Sequence, residues 1–187
     1  RLEEQKGPDV LARVFPDLMA RGVQFVVLGV GQEVYHTLFN GLAKQYPKQA
    51  SVNLRFDGKL SHRIQAGADM LLAPSRFEPC GLVQLSALKY GTVPIVHETG
   101  GLADTVIDAT PENLSAGLAT GFRFKPLTEA NLLEAVDRAL SLYRDRKAWG
   151  RLMRAGMRRD WSWTASARRY VDLYERAMAK RRSEASR

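Results

Sequence analysis

The sequence predicts an α/β fold around a parallel sheet, followed by a purely helical end. Two observations carry this. Short apolar runs such as Gln24-Phe25-Val26-Val27-Leu28 and Asp69-Met70-Leu71-Leu72-Ala73 alternate with stretches of helical periodicity, which is the signature of βαβ units. Beyond about residue 127 the apolar runs stop and only helical patterns remain.

In chain order, Gly7-Pro8-Asp9 opens a first helix, with Pro near its first position and Leu11, Val14, Phe15 and Leu18 on one face. The run from Gln24 to Leu28 is a strand ending at Gly29, and a helix follows from about Glu33 to Tyr46. A second strand is expected near Ala50 to Phe56, a short helix around Ser61 to Ala66, and a third strand from Asp69 to Ala73. Next come the loop Pro74 to Gly81, a helix marked by Leu82, Leu85 and Leu88 and stopped by Gly91, and the strand Val93-Pro94-Ile95-Val96. Gly100-Gly101 turns the chain beyond it. Thr128 caps a helix with Leu132, Leu133, Val136, Leu140 and Tyr143 on its apolar face; two further helices start near Asp145 and Thr164. Residues 181–187 are expected to be a disordered charged tail.

With 187 residues and 45% hydrophobic content, the chain can bury one full core. It lacks the roughly 20 consecutive apolar residues of a membrane span, so no membrane partner is expected. It opens at Arg1 without an initiating Met, which suggests a start inside a longer gene product. Cys80, the one cysteine, cannot form an internal disulfide and suits a reducing compartment. The net charge of +8 invites an anionic partner, but the basic residues near the end are spaced like solvated helix faces. No aromatic and basic interleaving points to nucleic acid.

Ligands of open parallel sheets bind at the carboxyl ends of the strands, so the loops there are the candidates. One is Arg1 to Gly7, where Arg1 and Lys6 precede a helix start that can hold phosphate. The next is Arg76-Phe77-Glu78-Pro79-Cys80-Gly81-Leu82, in which Gly81 permits close backbone approach and Glu78 can accept hydrogen bonds from hydroxyls. The third, Thr99-Gly100-Gly101, could equally be a plain turn. Gly29-Val30-Gly31 begins like a dinucleotide fingerprint but has Val34 where the third glycine is needed. His36, His62 and His97 fall on separate elements, which argues against a metal cluster.

These pieces, taken together, resemble a known family. Arg1-Leu2-x-x-Gln5-Lys6-Gly7, Ser61-His62-Arg63, Pro74 to Leu82, Lys89-Tyr90-Gly91-Thr92-Val93-Pro94-Ile95-Val96 and Thr99-Gly100-Gly101-Leu102-Ala103-Asp104-Thr105-Val106 are similar, in order and spacing, to the C-terminal domain of bacterial glycogen synthases and plant starch synthases. The resemblance implies the Rossmann-like half of a GT-B glycosyltransferase, with helices on both faces of the sheet. Residues 1–160 would form the nucleotide-sugar domain, and the helix at 161–180 would cross back to an N-terminal domain outside this chain. The implied reaction is retaining transfer of glucose from ADP-glucose to the non-reducing end of an α-1,4-glucan. It would need no cofactor or metal ion, and no nucleic acid or membrane would take part.

By the same resemblance, Arg1 and Lys6 would neutralise the diphosphate, and Glu78 with the backbone of Cys80 and Gly81 would hold the glucose hydroxyls. Leu82 lies at the same helix start. Phe56 stands where the family usually has a tyrosine stacked on adenine. Thr99, Gly100 and Gly101 would shape the nucleotide pocket. Val83 replaces a threonine near the phosphate, and Ser86 occupies the position of a second acid found in related retaining transferases. The resemblance leaves a UDP-sugar donor, glycogen against starch, and the oligomeric state open. It implies the cytoplasm for a bacterial source and the plastid stroma for a plant or algal one. A non-catalytic ADP- or glucan-binding module is the alternative.

Overall fold

The structure, a computed structural model, describes residues 1–185. It divides into a compact unit from Arg1 to Met157 and a second beginning at Arg158. In the first unit the predicted alternation is present: α1 (Pro8–Ala20), β1 (Phe25–Leu28), α2 (Glu33–Gln45), β2 (Ala50–Asn53), α3 (Gly58–Gly67), β3 (Met70–Ala73), α4 (Val83–Tyr90) and β4 (Val93–His97). It continues with α5 (Gly100–Thr105), α6 (Pro111–Ser115), β5 (Phe122–Phe124), α7 (Glu129–Arg144) and α8 (Arg146–Met157). All strand pairs are parallel, with Phe25 opposite Ala50, Met70 opposite Val93 and Ile95 opposite Phe122. They fall into two hydrogen-bonded sets, β1-β2 and β3-β4-β5.

The main core lies where α1, α7 and α8 cover β4 and β5. Val14, Phe15 and Leu18 meet Val93, Ile95, Phe122, Leu132, Val136, Trp149 and Leu152 there. The side-chain period of two in a strand sends β4 to both faces. Val93 and Ile95 enter this core, while Val96 joins Ala73, Leu102 and Val106 in a second cluster. A third, Val27 with Tyr35 and Phe39, ties α2 to β1.

The structure differs from the sequence-based expectation in several places. The second strand stops at Asn53, and Asp57, whose side chain accepts from the Leu60 N–H, starts α3 at Gly58, three residues early. His62 is therefore inside a helix, within 3.1 Å of the Tyr90 hydroxyl. Between Val106 and Thr128, where the sequence reading placed no elements, the chain forms α6 and β5. With three residues, β5 is too short to show a period. Its ladder to β4 begins only at Ile95, since Pro94 has no N–H to offer. Thr128 does cap α7, accepting from the Asn131 N–H.

In the second unit, Ser162 accepts from the Ala165 N–H at the start of α9 (Trp163–Ala185). The tail expected at 181–187 continues this helix as far as Ala185, and positions 186 and 187 lie outside the described residues. Trp163, Tyr170, Leu173, Tyr174 and Met178 are exposed along it. No helix among the described residues is long and apolar enough to cross a membrane.

Candidate functional site

Three loops meet at the carboxyl ends of the strands, and glycines let them touch. Residues Glu4–Lys6 form a 3-10 turn ended by Gly7 at φ 69°. A Cβ at Gly7 would stand 2.1 Å from the Pro74 carbonyl oxygen, so only glycine lets this turn press on the exit of β3. The contact is sewn by backbone and side chains alike. The Arg76 N–H donates to the Gln5 carbonyl at 2.8 Å, the Gln5 amide donates to the Phe77 carbonyl at 3.1 Å, and Arg76 Nη1 donates to the Glu4 carbonyl at 2.8 Å.

Arg76 also forms a two-pronged pair with Asp9, Nη1 and Nη2 each 2.8 Å from a carboxylate oxygen. Such fork-to-fork geometry is the strong form of the ion pair. It pulls the Asp9 carboxyl down from its ordinary 3.8 to about 2, the Arg76 hydrogen bonds being the largest cause. With α1 and the loop after β3 locked in this way, the Lys6 ammonium reaches the Glu78 carboxylate and pairs with it. Glu78 is 9% exposed, and the Ser75 hydroxyl lies 3.5 Å from the same carboxylate oxygen.

The loop after β4 closes the other side. The Gly101 N–H donates to the Glu78 carbonyl at 2.9 Å. Added Cβ atoms would come within 2.3 Å of that oxygen at Gly100 and 2.0 Å of the Cys80 carbonyl oxygen at Gly101. Beneath them, Gln84 is fully buried and its amide donates to the carbonyls of Cys80 (3.1 Å) and Gly81 (3.0 Å) and to Thr105 Oγ1 (3.1 Å). Gly81, at φ 70°, is the left-handed turn that leads into α4. His97 Nδ1 donates to the Ser75 carbonyl at 2.7 Å and fixes the base of the loop.

Of the residues singled out from the sequence, the structure brings together Lys6, Glu78, Cys80, Gly81, Gly100 and Gly101. Thr99 precedes α5 as its N-cap without a side-chain capping bond. Arg1 is on the same loop as Lys6, but its guanidinium is exposed and 3.6 Å from the Glu3 carboxylate. Phe56, between β2 and α3, has its ring 89% exposed, and Leu82 points outward at 72%. Sequence reasoning missed the supports: Asp9, Ser75, Gln84 and Thr105. Asp9 and Arg76 are 67 positions apart, so only the fold pairs them.

Chemically, the site offers a buried carboxylate for hydroxyl donors, an ammonium for a phosphate, and N–H groups at the starts of α4 and α5. No group of three or more His, Cys, Asp or Glu able to hold a metal ion occurs among the described residues.

A profile of the family described as glycosyl transferases group 1 matches residues 1–155. Glycogen synthase 1 of Methylococcus capsulatus is 52% identical over 179 residues, 96% of this chain and 36% of that protein. Glycogen synthase 2 of Nitrosococcus oceani is 48% identical over 180 residues, 96% of this chain and 37% of that protein. Among solved structures, the catalytic domain of starch synthase IV from Arabidopsis thaliana, bound to ADP and acarbose, superposes with a TM-score of 0.85 at 36% identity. It matches 96% of this chain over 37% of its own. The chain thus spans little more than a third of the relatives it matches.

Proposed function

The chain belongs to the group 1 glycosyl transferases, and we propose that within this family it is the donor-binding half of a retaining α-1,4-glucan synthase that uses ADP-glucose. The observation that carries this reading is the meeting of three loops around Glu78. The Lys6 ammonium reaches its carboxylate, and the Gly101 N–H reaches its carbonyl. The similarity to glycogen synthases and to a starch synthase bound to ADP supports the same substrate class.

In this reading Lys6, Arg1 and the N–H groups at the starts of α4 and α5 stabilise the charge that develops on the leaving diphosphate. Glu78 and the backbone of Cys80 and Gly81 hold the hydroxyls of the transferred glucose. Phe56 offers its exposed ring to the adenine, Thr99, Gly100 and Gly101 shape the nucleotide pocket, and Leu82 borders it. The acceptor hydroxyl attacks on the face from which the diphosphate departs, and a phosphate oxygen takes its proton, so no side-chain nucleophile, cofactor or metal is required. The acceptor glucan is held by an N-terminal domain of the longer protein, and the exposed apolar side chains of α9 suit a contact with it. In a bacterium the enzyme works in the cytoplasm.

The test separates nucleotide binding from turnover in the longer protein. Glu78→Ala should leave ADP affinity nearly intact while lowering kcat by about a hundredfold or more, since a lost positioning and electrostatic contact at a reacting sugar has effects of that size. Glucan synthesis at the parent rate would remove Glu78 from the role assigned to it.

A further inference from the structure

Gln84 stands at the second position of α4 and is fully buried. Its side-chain amide carries two hydrogens and faces three oxygens, the carbonyls of Cys80 at 3.1 Å and Gly81 at 3.0 Å and Thr105 Oγ1 at 3.1 Å. The amide oxygen, equally buried, has no hydrogen-bond partner among the described residues. A Cβ at Gly81 would lie 2.5 Å from that oxygen and 2.9 Å from the amide nitrogen, so the left-handed glycine is also what lets the amide in. An unmet buried acceptor lowers stability. What the amide contributes therefore lies with its donors.

Each of the two carbonyls belongs to a trans peptide, whose N–H points the opposite way. Drawing the Cys80 and Gly81 carbonyls onto the buried amide thus turns the N–H groups of Gly81 and Leu82 away from it. Gly81 is left-handed at φ 70°, and Leu82 is right-handed at φ −113° and ψ −22°. Successive N–H groups in such a pair converge and make a concavity suited to an anion. Neither N–H bonds to any of the described residues. The third contact of the amide reaches the loop after β4. There the Thr105 hydroxyl accepts from Gln84 and donates to the Gly101 carbonyl, while the Gly101 N–H donates to the Glu78 carbonyl. One buried side chain ties the turn into α4 to the peptide that braces Glu78.

We infer that Gln84 is a positioning residue for the donor: its amide holds the Cys80–Gly81 and Gly81–Leu82 peptides so that the Gly81 and Leu82 N–H groups face the leaving diphosphate. The inference rests on the proposed function, which puts that diphosphate at the start of α4. Being fully buried, Gln84 touches no ligand itself and acts through the backbone. Donors fixed in this way need no rearrangement as charge develops on the leaving group.

The test is titration calorimetry of the chain with ADP and with adenosine, comparing the parent with Gln84→Met, which keeps the length of the side chain and removes its donors. Each titration is run well below the thermal midpoint of the protein used. Gln84→Met should lower the preference for ADP over adenosine by about tenfold, with adenosine affinity unchanged. Thr105→Val, which removes one of the three oxygens that fix the amide, should lower it by about threefold, and it carries the test if Gln84→Met is not recovered folded. A lower thermal midpoint with the preference kept would give Gln84 a purely structural role and overturn the inference, leaving the proposed function intact. So would an equal loss of ADP and adenosine affinity. A parent chain that binds ADP no better than adenosine would overturn both the proposed function and this inference.

Discussion

At the scale of single residues, the site turns on one ammonium and one carboxylate. Lys6 meets Glu78, and in the proposed function it also meets a phosphate. Lys6→Ala should therefore weaken ADP far more than adenosine. A charge-assisted contact of about 1.5–3 kcal/mol corresponds to roughly a ten- to hundredfold loss. Calorimetry on the variant checks this, and an unchanged ADP curve would make the loop mere surface. Both residues were legible in the sequence from their loops and the family resemblance. Their support was not, since the clamp joining Arg76 to Asp9 spans 67 positions. That clamp has its own pH signature. Because the folded state lowers the Asp9 carboxyl to about 2, its stabilisation is complete above the ordinary carboxylate range and fades as pH falls from about 4 towards 2. Asp9→Asn should cost about 1–2 kcal/mol at pH 7 in urea unfolding, and its deficit should shrink over that window. A deficit equally large at pH 2 would show that the ion pair is not its cause.

Among the elements, the glycines separate loop contacts from spare freedom. Gly101 has a carbonyl oxygen where its Cβ would go, whereas nothing lies within 4 Å of a Cβ at Gly41 inside α2. Gly101→Ala should push the loop after β4 away from Cys80, costing about 1–3 kcal/mol and weakening ADP with it. Gly41→Ala should instead stabilise by about 0.5–1 kcal/mol, because alanine loses less backbone freedom in a helix. Thermal unfolding of the two variants reads opposite shifts, and a loss in both would undo the argument. Element by element, strong signals in the sequence were true to the fold: the wholly apolar strands and the Thr128 cap were found. What escaped was short or capped without an apolar period. β5 has three residues beside a proline-interrupted partner, and Asp57 starts α3 before its first apolar side chain.

On the scale of the whole molecule, the α/β class was legible because each apolar run betrays a covered strand. The division into two strand sets was not. Apolar runs identify strands but carry no record of which edges pair, and the two sets emerge only when the strands are placed side by side. The three-loop site is likewise a property of placement, since its loops start from residues 1, 74 and 99, and the two that follow β3 and β4 lie at one end because those strands are parallel. The central claim is that this convergence holds the diphosphate of an adenine nucleotide. Titration calorimetry of the chain with ADP and UDP side by side, without added metal, tests it most directly. The account predicts saturable binding of one ADP, at least about tenfold tighter than UDP; equal affinity for the two, or ADP binding only with magnesium present, would contradict it.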